Sequence, residues 1–263
     1  MLFRSIMKGE FLNKHKFSVL VITLAFSAIL GLATFTGLDY YKTAKDIRAK
    51  EQETADKLAA AQQKVWAEKA ALRKKVLKDY NSTIIVINKK HCFEPKTWQP
   101  NDLAPIEKGI SLRKEAAAQY NAMKAAAAQA KMPLASTSGY RSYNDQVETY
   151  DYWVKHSNQK EADSASARPG CSEHQTGLAV DLKADNCVLQ CFATTPTYKW
   201  LAEHAAEYGF IQRYPDNAKN ITGYVVEAWH WRYVGREIAQ DMKKREIKTL
   251  EEYFNVTGGD YSN

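Results

Sequence analysis

The sequence lacks several features that would place it in other classes of protein. It contains no internal repeat, which excludes a repeat architecture. Residues 40–80 contain neither proline nor glycine, and residues 17–38 contain no charged side chain. The chain has only four cysteines and six histidines among 263 residues, so the candidates for metal ligands are few. Its composition, 45% hydrophobic and 11% aromatic, excludes general disorder and predicts a packed core.

The uncharged segment 17–38 is long enough to cross a bilayer core of about 30 Å as a helix. Residues 1–16 are basic, which predicts a cytoplasmic N-terminal segment and an extracytoplasmic remainder. A cleaved signal peptide is the alternative, but its apolar region usually has roughly 7 to 15 residues and ends in a small-x-small site. The longer segment here ends in Thr36, Gly37 and Leu38. The sequence therefore favours an uncleaved, single-pass anchor in the cell membrane.

The formal net charge of +7 is compatible with nucleic acid, an anionic membrane surface or an acidic polymer as partner. Part of the excess has a local explanation, because four basic side chains and one acidic side chain precede the apolar segment. They are Arg4, Lys8, Lys14 and Lys16 on one side and Glu10 on the other. We therefore expect a membrane, and no nucleic acid, as a partner.

Residues 39–81 are rich in Ala, Lys, Glu and Gln, and this composition predicts a long exposed helical stalk. Leu58, Val65 and Leu72 recur every seven residues, as in a coiled coil. The alternate seam positions are weak, because Gln62 and Lys69 are polar. A homodimer through the stalk remains compatible with this pattern, but the lysine favours a solitary spacer helix.

Residues 82–263 predict one compact α+β domain, a small antiparallel sheet flanked by helices, because strands and helices alternate without a regular βαβ period. We expect a strand at 83–88, an extended segment at 93–106 and a helix at 111–130 with Ser111 as its N-cap. Later signals are a strand at 133–140, a helix capped by Ser142 with an apolar stripe, a helix from Thr195 to Gly209, strand stretches at 210–214 and 222–235, and C-terminal helices from 236 and 249. The predicted stripe is Val147, Tyr150 and Trp153 or Val154.

The four cysteines face an oxidising exterior if the anchor prediction is right, and there even numbers of cysteines usually pair. Cys187 and Cys191 lie close in an apparent loop, so we pair them and leave Cys92 with Cys171. A structural zinc site is the alternative, because Cys171 lies three residues before His174. Export favours disulfides over that site.

The stretch "SEHQTGLAVD" contains a histidine and an acidic residue in a distinctive context. Gly177 lets the chain turn between His174 and the strand that follows. Leu178, Val180 and Leu182 share one face of that strand, so Asp181 points to the opposite face. A carboxylate in the interior is costly without a cation, and a divalent metal removes that cost.

The stretch "EAWHW" adds a second histidine and a glutamate. On a straight strand Glu227 and His230 would face opposite sides, so the chain has to bend for both to meet one centre. With that bend, His174, Asp181 and His230 form the ligand set of a catalytic zinc that keeps one position open for water. Glu227 is then the free carboxylate that acts as the base.

Arg141, in "TSGYRS", is a candidate to stabilise negative charge on a scissile carbonyl oxygen. Each of these residues has an ordinary explanation when taken singly, because most histidines, arginines and glutamates make salt bridges or face solvent.

Four stretches, "SGYRSYNDQ", "RPGCSEHQTGLAVDL", "YGFIQRYP" and "EAWHWRYVG", resemble the VanY-type D-alanyl-D-alanine carboxypeptidases. These zinc peptidases are related to the LAS group and to the L,D-carboxypeptidases that act on peptidoglycan stem peptides. The resemblance covers roughly residues 83–236. It implies one Zn²⁺ per domain, held by His174, Asp181 and His230, with Glu227 as catalytic base and Arg141 on the carbonyl oxygen.

The same resemblance implies that Gln146 and Ser172 hold the terminal D-alanine of the substrate and its carboxylate. Trp229 and Tyr214 would form the wall of the pocket, although the two tryptophans beside His230 are equally compatible with a role in the core.

We therefore expect a membrane-anchored zinc carboxypeptidase that removes the terminal D-alanine from peptidoglycan stem peptides, by D,D or L,D cleavage. Two alternatives remain. One is a catalytically silent, zinc-stabilised module that binds cell wall, which the complete motif set disfavours. The other is an envelope scaffold in which the stalk is the primary element.

Overall fold

The computed structural model describes residues 37–261, which fall into two units, one ending at Leu72 and one beginning at Arg73. Among these residues, none of the helices combines the length and the apolar character needed to cross a bilayer. The basic segment 1–16 and nearly all of the predicted anchor 17–38 lie outside the described residues. Both remain predictions from the sequence.

The first helix, α1 (Gly37–Leu77), confirms the long helix expected from the absence of proline and glycine. Leu58 and Val65 of the predicted seam are 50% and 44% exposed. The stalk is therefore helical, and its pairing with a second copy remains a prediction.

The second unit is an α+β domain, as predicted, with short strands, α-helices and three 3₁₀ turns. Its strands are β1 (Leu103–Glu107), β2 (Ile110–Arg113), β3 (Ala135–Ser138), β4 (Ala179–Lys183), β5 (Phe210–Tyr214) and β6 (Glu227–Tyr233). Its α-helices are α2 (Lys114–Gln129), α3 (Tyr143–His156), α4 (Gln159–Ala165), α5 (Pro196–His204), α6 (Lys219–Thr222), α7 (Arg236–Lys244) and α8 (Leu250–Phe254). The 3₁₀ turns are Glu173–Thr176, Leu189–Thr194 and Ala205–Tyr208.

Four strands form an antiparallel sheet in the order β3-β4-β6-β5, and β1 and β2 form a separate hairpin. The predicted alternation along β4 is confirmed, because Leu178, Val180 and Leu182 are fully buried in the core. Asp181 lies on the opposite face and is paired in register with His230 of β6. The centre of the sheet therefore brings together two of the predicted metal ligands.

The strand predicted at 83–88 is wrong. Ile85, Val86 and Ile87 are buried as expected, but apart from an isolated bridge between Asn88 and His91 the segment pairs with no strand among the described residues. Its carbonyl groups at Thr83 and Ile85 instead accept hydrogen bonds from a guanidinium group, described below. The β-branched composition therefore predicted the burial of this segment correctly, but it did not predict how its backbone forms hydrogen bonds.

The helix predicted from Ser111 begins three residues later, because Ser111 belongs to β2. The carbonyl oxygen of Ser111 accepts a hydrogen bond from the backbone N–H of Tyr140. Gly109 forms the turn of the β1–β2 hairpin with a φ of +75°. The sequence prediction missed this β1–β2 hairpin, since the proline-containing β1 has little strand signal.

Several other local predictions are confirmed. Ser142 caps α3 in a reciprocal capping box with Asp145, and Thr195 caps α5 with Pro196 in the first turn. Val147, Tyr150 and Val154 of the apolar stripe predicted on α3 are half-buried, Trp153 is exposed, and the fully buried residue of the helix is Gln146.

Both predicted disulfides are present, Cys92–Cys171 and Cys187–Cys191. No cysteine of the chain is free, so the cysteine-containing zinc site that was the alternative is excluded. The first bridge ties the buried segment after α1 to the residue immediately before Ser172.

Candidate metal centre and active site

Three buried side chains, His174, Asp181 and His230, each offer a ligand atom, and these atoms all lie within 4.8 Å of one another. The Asp181 carboxylate lies between the two imidazoles. Its Oδ2 is 3.3 Å from Nε2 of His174, and its Oδ1 is 3.3 Å from Nδ1 of His230. The two rings are nearly perpendicular, with an interplanar angle of 85°.

The orientation of His174 is set by the backbone. Its Nδ1 lies 2.7 Å from the carbonyl oxygen of Gly139, which can only accept, so Nδ1 carries the proton and Nε2 presents its lone pair to Asp181. A side chain at Gly139 would meet the Ser111 carbonyl oxygen at 2.6 Å, so this close approach requires glycine. Gly177, with a φ of +68°, ends the 3₁₀ turn that carries His174.

His230 has the opposite arrangement. Its Nε2 is 3.4 Å from Oε2 of Glu173, and its Nδ1 faces Asp181. An imidazole that donates one N–H to a carboxylate while its other nitrogen faces a metal is the usual arrangement at metal sites. The neighbouring carboxylate therefore selects the nitrogen that faces the centre.

The donor set fits a zinc ion. Oδ1 of Asp181 is buried without a hydrogen-bond partner in the described chain, which is costly for a carboxylate oxygen that no cation contacts. Two imidazole nitrogens and one carboxylate oxygen are the protein ligands that catalytic zinc takes, with the fourth position left to water or substrate.

Glu227 lies beside these ligands because β6 bulges. Gln212 pairs with Trp231 and Tyr214 pairs with Glu227, so a step of two residues along β5 corresponds to a step of four residues along β6. This irregularity is the bend expected from the sequence, and it brings Oε2 of Glu227 to 3.7 Å from Nδ1 of His230. Burial raises the pKa of the Glu227 carboxyl to about 8, although His230 opposes the shift.

The other titratable groups of the centre are also shifted. Burial lowers the pKa of His174, which favours the neutral imidazole. Burial alone would raise the pKa of the Asp181 carboxyl, but the two histidines outweigh burial and hold that pKa well below its usual range. Burial also lowers the pKa of His230, but the neighbouring carboxylates of Asp181 and Glu173 outweigh it and raise the pKa to about 9.

Arg141 places a guanidinium group beside the centre. Its Nη2 lies 3.9 Å from Oδ2 of Asp181 and donates to Oγ of Ser138 at 3.0 Å. Its Nη1 donates to Oε1 of Gln146 at 2.9 Å. The amide nitrogen of Gln146 in turn donates to the carbonyl oxygen of Ala167. Arg141 and Gln146 are thus brought together, and Ser138, which the sequence prediction missed, helps to hold the guanidinium.

The remaining predicted pocket residues fall into different environments. Tyr214 contacts the site, with its ring tilted by 45° and its centroid 4.8 Å from that of His230. Ser172 is buried, and its Oγ accepts a hydrogen bond from the backbone N–H of His174. Trp229 is 9% exposed and belongs to the hydrophobic core, so its contacts favour packing over a pocket wall.

Comparison with known proteins identifies the family. Residues 109–236 match the family described as VanY, D-alanyl-D-alanine carboxypeptidase. The bifunctional D-Ala-D-Ala dipeptidase and carboxypeptidase VanXYC of Enterococcus gallinarum is 32% identical over 181 residues, 66% of this chain and 94% of that protein. The chain belongs to the VanY family. The putative carboxypeptidase YodJ of Bacillus subtilis is 39% identical over 183 residues, which are 65% of this chain and 66% of that protein.

Solved structures agree with membership in the VanY family. The LdcB LD-carboxypeptidase, whose structure addresses peptidoglycan recognition, is 38% identical with a TM-score of 0.62, over 69% of this chain and 90% of that chain. A variant of the vancomycin-resistance D,D-pentapeptidase VanY, in complex with Zn(II), is 32% identical with a TM-score of 0.58, over 66% and 99% of the two chains. All predicted site residues lie inside the VanY match.

The sequence prediction missed a buried ion network behind this VanY site. Glu173 accepts hydrogen bonds from Arg213 and Arg232, and Arg213 also forms a bidentate pair with Glu251. Both guanidinium groups are 0% exposed. A signal was available, because Arg213 and Arg232 are charged residues within strands rich in aromatic side chains and Glu173 precedes a predicted ligand. Glu251 lies outside the VanY match and carried no such signal.

Proposed function

We propose that this protein is a zinc-dependent carboxypeptidase that removes the terminal D-alanine from peptidoglycan stem peptides. The observation that carries the proposal is the buried set of His174, Asp181 and His230 with the carboxylate of Glu227 beside it. Catalytic zinc sites combine three such ligands with a free acid or base nearby. Relatives described as D-Ala-D-Ala carboxypeptidases and an LD-carboxypeptidase support the substrate class.

When bound, one zinc ion supplies the Lewis acidity that lowers the pKa of a water molecule and polarises a carbonyl group. Glu227 then serves as the proton carrier. Burial raises the pKa of the Glu227 carboxyl, which makes it a stronger proton acceptor than an exposed glutamate. It takes a proton from the attacking water and passes it to the amine of the departing D-alanine.

Arg141 supplies positive charge where the scissile carbonyl oxygen becomes negative. Its guanidinium is already oriented by Ser138 and Gln146, so little reorganisation accompanies the reaction. We also propose that Gln146 and Ser172 contact the terminal D-alanine and that Tyr214 walls the pocket. The amide of Gln146 already forms hydrogen bonds with Arg141 and with the carbonyl oxygen of Ala167. Gln146 therefore also contributes to the reaction by keeping the guanidinium in place.

Membrane anchoring is part of the proposal. The uncharged segment 17–38 and the basic residues before it support a single-pass protein with its catalytic domain outside the membrane. Membrane fractionation, followed by protease treatment of intact spheroplasts, tests it. Recovery of the full chain in the soluble fraction would contradict the anchor without affecting the proposed chemistry.

The decisive experiment uses the purified full chain in detergent with one equivalent of zinc. It is incubated with a stem pentapeptide ending in D-Ala-D-Ala and with a stem tetrapeptide, and the products are read by mass spectrometry. D-alanine release from the pentapeptide shows D,D cleavage, and release from the tetrapeptide shows L,D cleavage. If the zinc-loaded protein cleaves neither stem, the proposed activity is wrong, and a silent zinc-stabilised cell-wall module takes its place.

A further inference from the structure

Glu173 has two carboxylate oxygens with different partners. Oε1 accepts hydrogen bonds from Nε of Arg213 at 2.8 Å and from Nη1 of Arg232 at 2.7 Å. Oε2 faces Nε2 of His230 at 3.4 Å. The side chain is fully buried. One oxygen therefore anchors the carboxylate, and the other meets a predicted metal ligand.

The two arginines also form hydrogen bonds with groups other than Glu173. Arg232 donates through Nη2 to the carbonyl oxygens of Thr83 and Ile85. Arg213 forms two hydrogen bonds with Glu251, at 2.7 and 2.8 Å, and Glu251 also accepts one from Asn88. Two carboxylates and two guanidinium groups balance one another in charge. Such a satisfied buried network is rigid, because every alternative position leaves a polar group unpaired.

We propose that Glu173 is a positioning residue for the metal centre, which fixes the tautomer and ring orientation of His230 so that Nδ1 presents its lone pair. The proposal rests on the metal site of the proposed function but not on its substrate. Segment 83–88 and Glu251 of α8, which contact the two arginines, lie outside the VanY match. A carboxylate behind a ligating imidazole typically contributes 10- to 100-fold to metal affinity.

The variant Glu173→Gln tests the proposal through its hydrogen bonds. The oxygen of the new amide has to accept from the two arginines, because an amide nitrogen there would meet two other donors. Its NH₂ group then faces Nε2 of His230, which favours the tautomer with the proton on Nδ1. In that tautomer the nitrogen that faces Asp181 has no free lone pair.

Glu251→Gln is the matched control. Glu251 is also buried and also pairs with Arg213, so its replacement removes the same charge from the same network. Within residues 37–261 its side chain pairs with Arg213 and Asn88 and not with His230. If the network has only a structural role, the two variants should behave alike.

The full chains are compared by competition between protein and a chromophoric chelator for zinc, at a temperature where circular dichroism shows both variants folded. We expect Glu173→Gln to weaken zinc binding by about 10- to 100-fold, and Glu251→Gln to remain within about threefold of the unmodified chain. Equal weakening in both variants, or none in Glu173→Gln, overturns the proposal. If the variants show this difference in zinc affinity but the unmodified chain cleaves no stem peptide, the proposed function is wrong and the role of Glu173 stands.

A second measurement covers the case in which Glu173→Gln does not fold. In the unmodified zinc-loaded chain, long-range ¹⁵N–¹H correlation spectra report which imidazole nitrogens carry protons. We expect His230 to be protonated at Nε2 and His174 at Nδ1, as Glu173 and Gly139 dictate. A proton on Nδ1 of His230 in the zinc-loaded protein contradicts the proposal.

Discussion

Nδ1 of His230 and Oε2 of Glu227 lie 3.7 Å apart, although three positions separate the two residues along one strand. On a regular strand they would point to opposite faces. The bulge in β6, opposite Gln212 and Tyr214 of the paired strand, removes that obstacle. One irregularity in the sheet thus places a proton acceptor and a predicted zinc ligand at the same centre.

Replacing Glu227 by Gln should separate catalysis from metal binding. The amide keeps the size of the side chain but cannot accept the proton of the attacking water, so we expect kcat to fall by about 10²- to 10⁴-fold. Zinc content, measured by elemental analysis, should stay at that of the unmodified protein, because Glu227 is not in the ligand set. Full activity in the zinc-loaded variant would remove Glu227 from the role of base.

Arg141→Lys should reduce the rate even though the charge is kept. A lysine ammonium cannot reproduce the planar fork that holds Ser138 and Gln146 together, so its charge is less well placed. We expect kcat to fall by about 10²- to 10³-fold with a smaller change in KM. Steady-state kinetics on the preferred stem peptide measure both. An increase in KM alone would instead assign Arg141 to substrate binding.

Acid should unfold the protein partly through Glu251. Burial alone would raise the pKa of this carboxyl, but Arg213 and Asn88 outweigh burial and hold the pKa below its ordinary value near 4.5. The unfolded chain therefore binds the proton first as the pH falls. The stabilisation is complete above pH 4.5 and is lost as the pH falls through the lower, folded-state pKa.

Chemical unfolding between pH 7 and pH 3 measures that effect. Glu251→Gln should be less stable at pH 7 by about 3 to 5 kcal/mol, because it leaves part of the charge of Arg213 unpaired. The difference between the two proteins should shrink towards pH 3. A difference that is constant with pH would mean that the ionised carboxylate of Glu251 is not what stabilises the fold.

The two disulfides should differ in their contribution to stability. Cys92 and Cys171 are 79 residues apart, and loop-closure entropy predicts about 4.5 kcal/mol for a loop of this length. Cys187 and Cys191 are four residues apart, for which the same relation gives about 2 kcal/mol. Replacing each pair by serine and measuring urea unfolding tests the order. Equal losses would show that strain or residual structure outweighs chain entropy.

Local signals in the sequence predicted much of the fold. The absence of proline and glycine predicted α1, and the caps at Ser142 and Thr195 marked the starts of α3 and α5. These predictions succeeded because helix formation and capping depend on neighbours within a few residues. The strand predicted at 83–88 was wrong, because carbonyl groups of this segment accept hydrogen bonds from a guanidinium about 150 residues away in the sequence.

The candidate site shows the same division. Alternation along β4 placed Asp181 opposite the core, and the spacing of "EAWH" indicated that the chain has to bend. Arg213, Arg232 and Glu251 were not predicted, because a buried charge is recognised only when its counter-charge is seen in space.

The sequence by itself determined the family motifs, the ligand types and the face of β4 that carries Asp181, because each depends on residue identity and short-range periodicity. Only the tertiary structure decided which nitrogen of each histidine faces the centre. That choice depends on the Gly139 carbonyl for His174 and on Glu173 for His230. A tautomer is set by the group that a ring contacts across the fold, and contacts of that kind arise only when distant segments pack together.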